Sequence, residues 1–185
     1  MLSIDKAYQF YTRHIYDEEK ISLLKTHNLK IAGSVPPVLW ELFGALLTER
    51  SGNGLTGADL QGWEVKSAKE SGSYEYQYHL NTGSSKLLED CKINHLFCMY
   101  SETYENVVVR AIKGEDLAEN FFKLWEPHYI KNYDVSIDKS QRRQRFRKSI
   151  SGGYVERNGI LIMEVKEGKL MYRDDKIISK LNQVI

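Results

Sequence analysis

The chain has 185 residues, of which 42% are hydrophobic and 28% charged, with a formal net charge of +1. That length and composition suit one soluble globular unit with a full core. The sequence predicts no signal peptide and no apolar run long enough to cross a bilayer, so the expected setting is cytoplasmic with no membrane contact. Two cysteines, Cys91 and Cys98, are too few for a disulfide framework and lack the spacing of a zinc site, which points to buried thiols. A balanced total charge does not exclude nucleic acid, because binding responds to local patches.

In chain order, residues 5–27 carry helical signals, with Ala7, Phe10, Tyr11, His14 and Ile15 on one face. Lys30 to Pro37 reads as a connection, since Gly33 and the Pro36-Pro37 pair favour extended backbone. A helix over roughly 37–50 follows, begun by Pro37, striped by Leu39, Leu42, Phe43, Leu46 and Leu47, and ended by Gly52, Asn53 and Gly54. The hydrophobic period then changes to two, which predicts short strands near 58–60, 63–68 and 74–80. Ser84 to Lys92 suits a short helix, while Ile93 to Tyr100 and Val107 to Lys113 suit strands. Glu115 to about Lys131 returns to helix, 139–148 is a basic stretch, 154–172 reads as strands turning at Glu167-Gly168, and 174–183 as a last helix. The expected fold is α/β, a central mixed sheet flanked by helices, in one unit spanning 1–185.

The segment Gly57-Ala58-Asp59-Leu60-Gln61-Gly62-Trp63-Glu64-Val65-Lys66-Ser67 carries the chemistry. With Gln61-Gly62 as a two-residue hairpin loop, Leu60 pairs with Trp63 and Asp59 falls opposite Glu64. Opposed side chains have Cβ atoms about 4.5–5.5 Å apart, so the two carboxylates repel unless a cation lies between them. Mg²⁺ takes oxygen ligands and is often held by only one or two protein carboxylates. Lys66 shares the face of Glu64 by strand alternation, while Val65 points into the core with its carbonyl free to ligate. Metal, carboxylates and ammonium together suit phosphodiester hydrolysis.

Asp59 followed by Glu64-Val65-Lys66 resembles the PD-(D/E)xK nuclease motif, whose superfamily includes many type II restriction endonucleases. The resemblance covers about half the chain. It implies a restriction-endonuclease-like core of helix, three-stranded meander, helix and strand, with a catalytic core at about 37–113. It also implies Asp59 and Glu64 as Mg²⁺ ligands and Lys66 as the catalytic lysine. Ala58 stands where the family pattern has proline. Many members carry a supporting acid on the first core helix, and Glu49, within about 20° of Leu42 around that helix, is the candidate here.

Other acid-x-Lys triplets exist, the nearest competitor being Glu164-Val165-Lys166, which lacks a partner aspartate on the preceding segment. On the expected strand at 74–80, tyrosines alternate with Glu75, Gln77 and His79; a polar face beside Lys66 would let Gln77 or His79 orient water or phosphate. Gly52-Asn53-Gly54-Leu55-Thr56-Gly57 fits the dinucleotide fingerprint only formally, because it follows a helix rather than a strand.

The run from Lys139 to Lys148 has six basic residues in ten. Arg142, Arg143, Arg145, Arg147 and Lys148 are candidate contacts to double-stranded DNA, against the plainer reading of a solvated connection. One active site cuts one strand, so a duplex needs a second subunit. That is either a second copy or, as in heterodimeric type IIS enzymes whose small catalytic subunit this chain resembles, a larger recognition subunit. The segment of about 132–185 is then available for DNA or partner contacts. The alternatives are a repair or junction-resolving nuclease of the same superfamily and a non-catalytic nucleic-acid-binding module.

Overall fold

The computed structural model describes residues 1–30, 34–54, 57–143 and 145–183. Three helical stretches come first: α1 (Ser3–Phe10), continued by a π-helical turn over Tyr11–Ile15, then α2 (Glu18–Thr26) and α3 (Pro37–Thr48). They lead to β1 (Trp63–Lys69), β2 (Ser73–Tyr78), α4 (Gly83–Asp90), β3 (Asn94–Tyr100) and β4 (Val107–Lys113). A long helical passage, α5 (Gly114–Leu117), a π turn and α6 (Lys123–Tyr133), precedes β5 (Phe146–Ser151) and α7 (Gly152–Asn158). The chain ends with β6 (Ile160–Lys166), β7 (Lys169–Arg173) and α8 (Asp175–Asn182).

Five strands form one mixed sheet in the order β1-β3-β4-β6-β7. β1 and β3 run parallel and the remaining pairs antiparallel. A parallel pair needs a crossover, and α4 lies in the one that joins β1 to β3. One sheet face buries Val65, Leu96, Cys98, Val109 and Val165 under α1, α3 and α8, with Trp40, Phe43, Leu47 and Ile178 packed against them. The other face buries Ala68, Phe97 and Ile112 beneath an aromatic layer that includes Tyr74, Tyr76, Tyr78, Phe122 and Trp125. The expected α/β architecture with a mixed sheet flanked by helices is therefore present. No helix among the described residues is long and apolar enough to cross a membrane.

The expected three-stranded meander is absent. Residues 58–60 form no strand; Leu60 makes only isolated bridges to Gly52 and Trp63. β2 leaves the main sheet and pairs antiparallel with β5 in a second, two-stranded sheet. The cross-strand pattern explains the choice: Tyr74 opposes Ile150 and Tyr78 opposes Phe146, so both strands put matching apolar positions on the aromatic layer. The helix over 37–50 ends at Thr48, where Glu49 adopts a left-handed conformation with φ 57°, and not at the glycines beyond. Its buried stripe is Trp40, Phe43, Gly44, Leu47 and Thr48, whereas Leu42 is 48% exposed. Trp40 has more apolar surface to bury than Leu42 and sets the rotation of the helix. The glycine at 44 lets α3 lie close on β1: a Cβ there would sit 2.8 Å from Val65 Cγ2. Residues 154–158, expected as strand, belong to α7, whose first turn is capped by the Ser151 side chain accepting from the Tyr154 N–H.

Candidate metal and phosphate site on strand β1

Gln61 and Gly62 make the tight turn. Leu60 N–H donates to Trp63 C=O at 2.9 Å and Trp63 N–H returns to Leu60 C=O at 3.1 Å. Gly62 sits at φ 75°, which a side chain would disfavour. Asn182 of α8 fixes the turn from below, accepting from Trp63 Nε1 at 2.9 Å while its amide donates to the Thr48 carbonyl at 2.8 Å. Asp59 and Glu64 meet across this turn. Asp59 Oδ2 accepts the Val65 N–H at 2.9 Å, and the Asp59 N–H points to Glu64 Oε2 at 3.4 Å. β1 is an edge strand, and the N–H and C=O of one strand residue point to the same side. The Val65 carbonyl therefore faces the open edge shared with Asp59.

Glu64 is only 3% exposed, and both of its oxygens are occupied by ammonium groups. Lys66 Nζ lies 2.5 Å from Oε1 and Lys86 Nζ 2.7 Å from Oε2. Lys86 comes from α4 and also binds Asp90 Oδ1 at 2.7 Å, while Asp90 Oδ2 accepts from the Tyr78 hydroxyl at 2.8 Å. Asp90 is fully buried. Lys66 rests over the Tyr76 ring, 5.0 Å from its centre. Behind that ring, His95 Nε2 faces the Asp90 carbonyl at 2.8 Å and Nδ1 faces the Tyr76 hydroxyl at 2.9 Å. A carbonyl can only accept, so Nε2 carries the proton and Tyr76 donates to Nδ1. Burial holds His95 neutral, with its pKa pushed down to about 4.

The two opposed acids respond differently to the same surroundings. Burial raises both, but for Glu64 the two lysines outweigh it and hold the carboxyl at about 2. For Asp59, burial and the neighbouring Glu64 charge push it up to about 6 against the pull of Lys66. Asp90 is also raised to about 6, chiefly by burial. With all three ionised, these carboxylates outnumber the two ammoniums, so the cluster carries excess negative charge.

Glu49 stands apart from this cluster. It pairs with Lys6 of α1 at 2.9 Å, its side chain is 59% exposed, and it enters none of the cluster's hydrogen bonds or ion pairs among the described residues. The reason is the rotation of α3, since Leu42, from which its position was read, faces solvent. On α3 it is Glu41 whose charge adds to the rise of Asp59, after burial and Glu64. Sequence reading missed Glu41, Lys86 and Asp90. Lys86 and Asp90 share one helix face at a separation of four, but nothing local showed that this face meets β1. On β2, the buried tyrosine face adjoins Lys66. Gln77 and His79, whose side chains join at 3.0 Å, instead line a cleft of about 560 Å³ with Lys86, Thr82 and Ser85.

The basic run is adjacent to that cleft. Arg147 on β5 is the register partner of Gln77, and Lys148 that of Tyr76. Arg143, Arg145 and Arg147 are exposed, whereas Arg142 and Lys148 are half-buried. Arg143 and Lys148 also line a second cleft, of about 430 Å³, with His128, Lys131 and Asn132.

Among the described residues no group of three or more His, Cys, Asp or Glu side chains stands ready to hold a metal. The donor set is two carboxylates and one carbonyl, all oxygen, which fits Mg²⁺ with water completing its shell and fits zinc poorly. Both Glu64 oxygens are held by ammonium groups, so a metal there would have to displace Lys66 or Lys86 from one of them. No family model matches the chain, and no curated protein is significantly similar to it.

Proposed function

We propose that the chain is a Mg²⁺-dependent DNA endonuclease of the PD-(D/E)xK type, a restriction enzyme hydrolysing phosphodiester bonds of duplex DNA. One observation carries the reading. Asp59 and Glu64 are held together across a turn too short to separate them, with Lys66 on the same face. The pairing is unfavourable for Asp59, whose carboxyl is pushed up to about 6, and a bound cation would relieve it.

Asp59, Glu64 and the Val65 carbonyl would hold the ion. When bound there, Mg²⁺ would supply the acidity for a water nucleophile and polarisation of the phosphate. Lys66, steadied by the Tyr76 ring, supplies a fixed positive charge for the pentavalent phosphorus that develops. The cluster's excess negative charge would favour a divalent cation, and Lys66 and Lys86 remain there to balance an anionic phosphate. Arg147 sits opposite Gln77 beside the cleft and Arg143 and Lys148 line the second one; with Arg142 and Arg145 they would suit the DNA backbone. Each chain cuts one strand, so duplex cleavage uses a second copy or a larger recognition subunit.

Supercoiled plasmid incubated with the purified protein and Mg²⁺ tests this directly. Nicked or linear product that vanishes in Glu64→Gln supports the reading, and linear product from the protein alone indicates a homodimer. Binding of DNA without any Mn²⁺ uptake by calorimetry would indicate a non-catalytic module instead. Preference for branched or mismatched DNA over plain duplex would indicate a repair nuclease.

A further inference from the structure

We propose that Lys86 is a second catalytic lysine, which donates to a non-bridging oxygen of the bound phosphodiester from the floor of the 560 Å³ cleft. The proposal rests on the nuclease reading but on a residue outside its motif.

Three observations support it. First, Lys86 and not Lys66 lines the cleft, together with the side chains of Gln77, His79, Thr82 and Ser85 and the carboxylate of Glu89 at its edge. That volume lies within the range of small-ligand pockets, about 300–1,000 Å³, and the polar walls suit a sugar-phosphate unit. Second, the ammonium has three protons, of which two are directed at Glu64 and Asp90, both at 2.7 Å. Its third neighbour, Glu89, is an ion-pair partner at 3.6 Å, beyond good hydrogen-bond range, so this is the contact that a phosphate oxygen in the cleft would displace. Third, Lys86 does more than neutralise Asp90. It also leans on Glu64, which Lys66 already neutralises. A cation on Glu64 competes with that contact and frees a second proton for substrate. Asp90, fully buried and fixed by Tyr78, keeps the ammonium in place meanwhile. A charge held ready in this way costs no reorganisation when the reaction occurs.

The test couples two ligands and does not depend on cleavage. Mn²⁺ binding is measured by calorimetry with and without the dinucleotide TpT, a minimal phosphodiester, for the wild type, Lys86→Met and Lys86→Arg. TpT is expected to tighten Mn²⁺ binding to the wild type about fivefold or more. Lys86→Met is expected to bind Mn²⁺ at least as well as the wild type, having lost a competitor for Glu64, yet to show no tightening by TpT. Lys86→Arg should restore part of it, and it also serves if the methionine variant fails to fold. Where plasmid is nicked, Lys86→Met should lower the single-turnover rate about 100-fold.

Equal tightening in Lys86→Met and wild type would overturn the proposal, as would a wild type that binds Mn²⁺ but ignores TpT. Mn²⁺ affinity that falls in Lys86→Met would also overturn it, because Lys86 would then only shape the metal site. A wild type that binds no Mn²⁺ at all overturns the nuclease reading, and Lys86 with it.

Discussion

The chain contains the tripeptide Glu-Val-Lys twice on strands of the same sheet, at 64–66 on β1 and at 164–166 on β6. Both valines are buried, at 6% and 0% exposure, and in both copies the lysine reaches back to its own glutamate. The environments differ. β6 lies between β4 and β7, so its backbone is committed on both sides, and Glu164 faces Val108 and Tyr172. Its ion pair is loose, 3.2 Å with Lys166 63% exposed, the kind of surface pair that contributes little. β1 is an edge, and its free side receives Asp59 from the turn and Lys86 from α4. The same three residues are a surface ion pair in one place and a buried charge cluster in the other. The neighbours set the chemistry, not the triplet.

The largest effect expected from this contrast is on cleavage. Glu64→Gln or Lys66→Met should each lower the nicking rate by at least about 100-fold, the loss typical of removing one electrostatic stabiliser. Glu164→Gln and Lys166→Met should leave it within about twofold. Equal losses from the two copies would show that the buried cluster on β1 is not where the chemistry occurs.

Next comes the packing that holds β1 to α3. Gly44→Ala sets a Cβ 2.8 Å from Val65 Cγ2, and valine at a strand centre has no other rotamer within easy reach. Overpacking of this kind costs about 1–3 kcal/mol, offset by up to about 1 kcal/mol of helix propensity. The expected result is a lower Tm and weaker Mn²⁺ binding together, because the Val65 carbonyl moves with its side chain. A stable variant with unaltered metal affinity would mean that the α3 contact does not position the site.

A smaller effect separates the two acids by pH. The Asp59 carboxyl is raised in the folded protein, so its contribution to stability is largest below pH 3.8 and is lost as pH rises towards about 6. Glu64 runs the other way: its contribution is complete above pH 4.5 and is lost as pH falls towards about 2. Asp59→Asn keeps an acceptor for the Val65 N–H but removes the charge. Its Tm should exceed that of the wild type by a few degrees at pH 8, on the order of 1 kcal/mol. The difference should shrink as pH falls from 6 to 4. Asp90 contributes a fall over the same window, so part of the slope remains. The gain in stability should accompany a loss of cleavage, the trade expected where charge is held for function.

What could be read from the sequence divides along the same line. The turn at Gln61-Gly62 was legible because a positive φ, a two-residue loop and strand alternation are all local. Asp59, Glu64 and Lys66 came with it. Lys86 and Asp90 were not legible, because their helix reaches β1 only through the crossover to β3. The β2–β5 pairing joins segments far apart in the chain, and its only trace is the matched alternation of Tyr74, Tyr76 and Tyr78 with Phe146 and Ile150. The place of Glu49 is not legible for a related reason: eight apolar side chains on α3 allow more than one buried stripe, and contact with Val65 and Leu96 decides between them.

The smallest expected effect concerns the basic run, and it sharpens the contrast between the two sides of β2. The buried side carries the charge cluster and should set the rate, while the exposed side, with β5, should set only affinity. Replacing Arg145 and Arg147 with glutamine removes two exposed cations at the start of β5 without altering a buried apolar residue. If both meet phosphates, the slope of log affinity against log salt should fall by about 0.9 for each. The loss should be similar for every duplex sequence, since phosphate contacts carry no base information. The single-turnover rate at saturating protein should stay near that of the wild type. A change in rate without a change in salt slope would assign these residues to the chemistry and remove them from the DNA-binding surface.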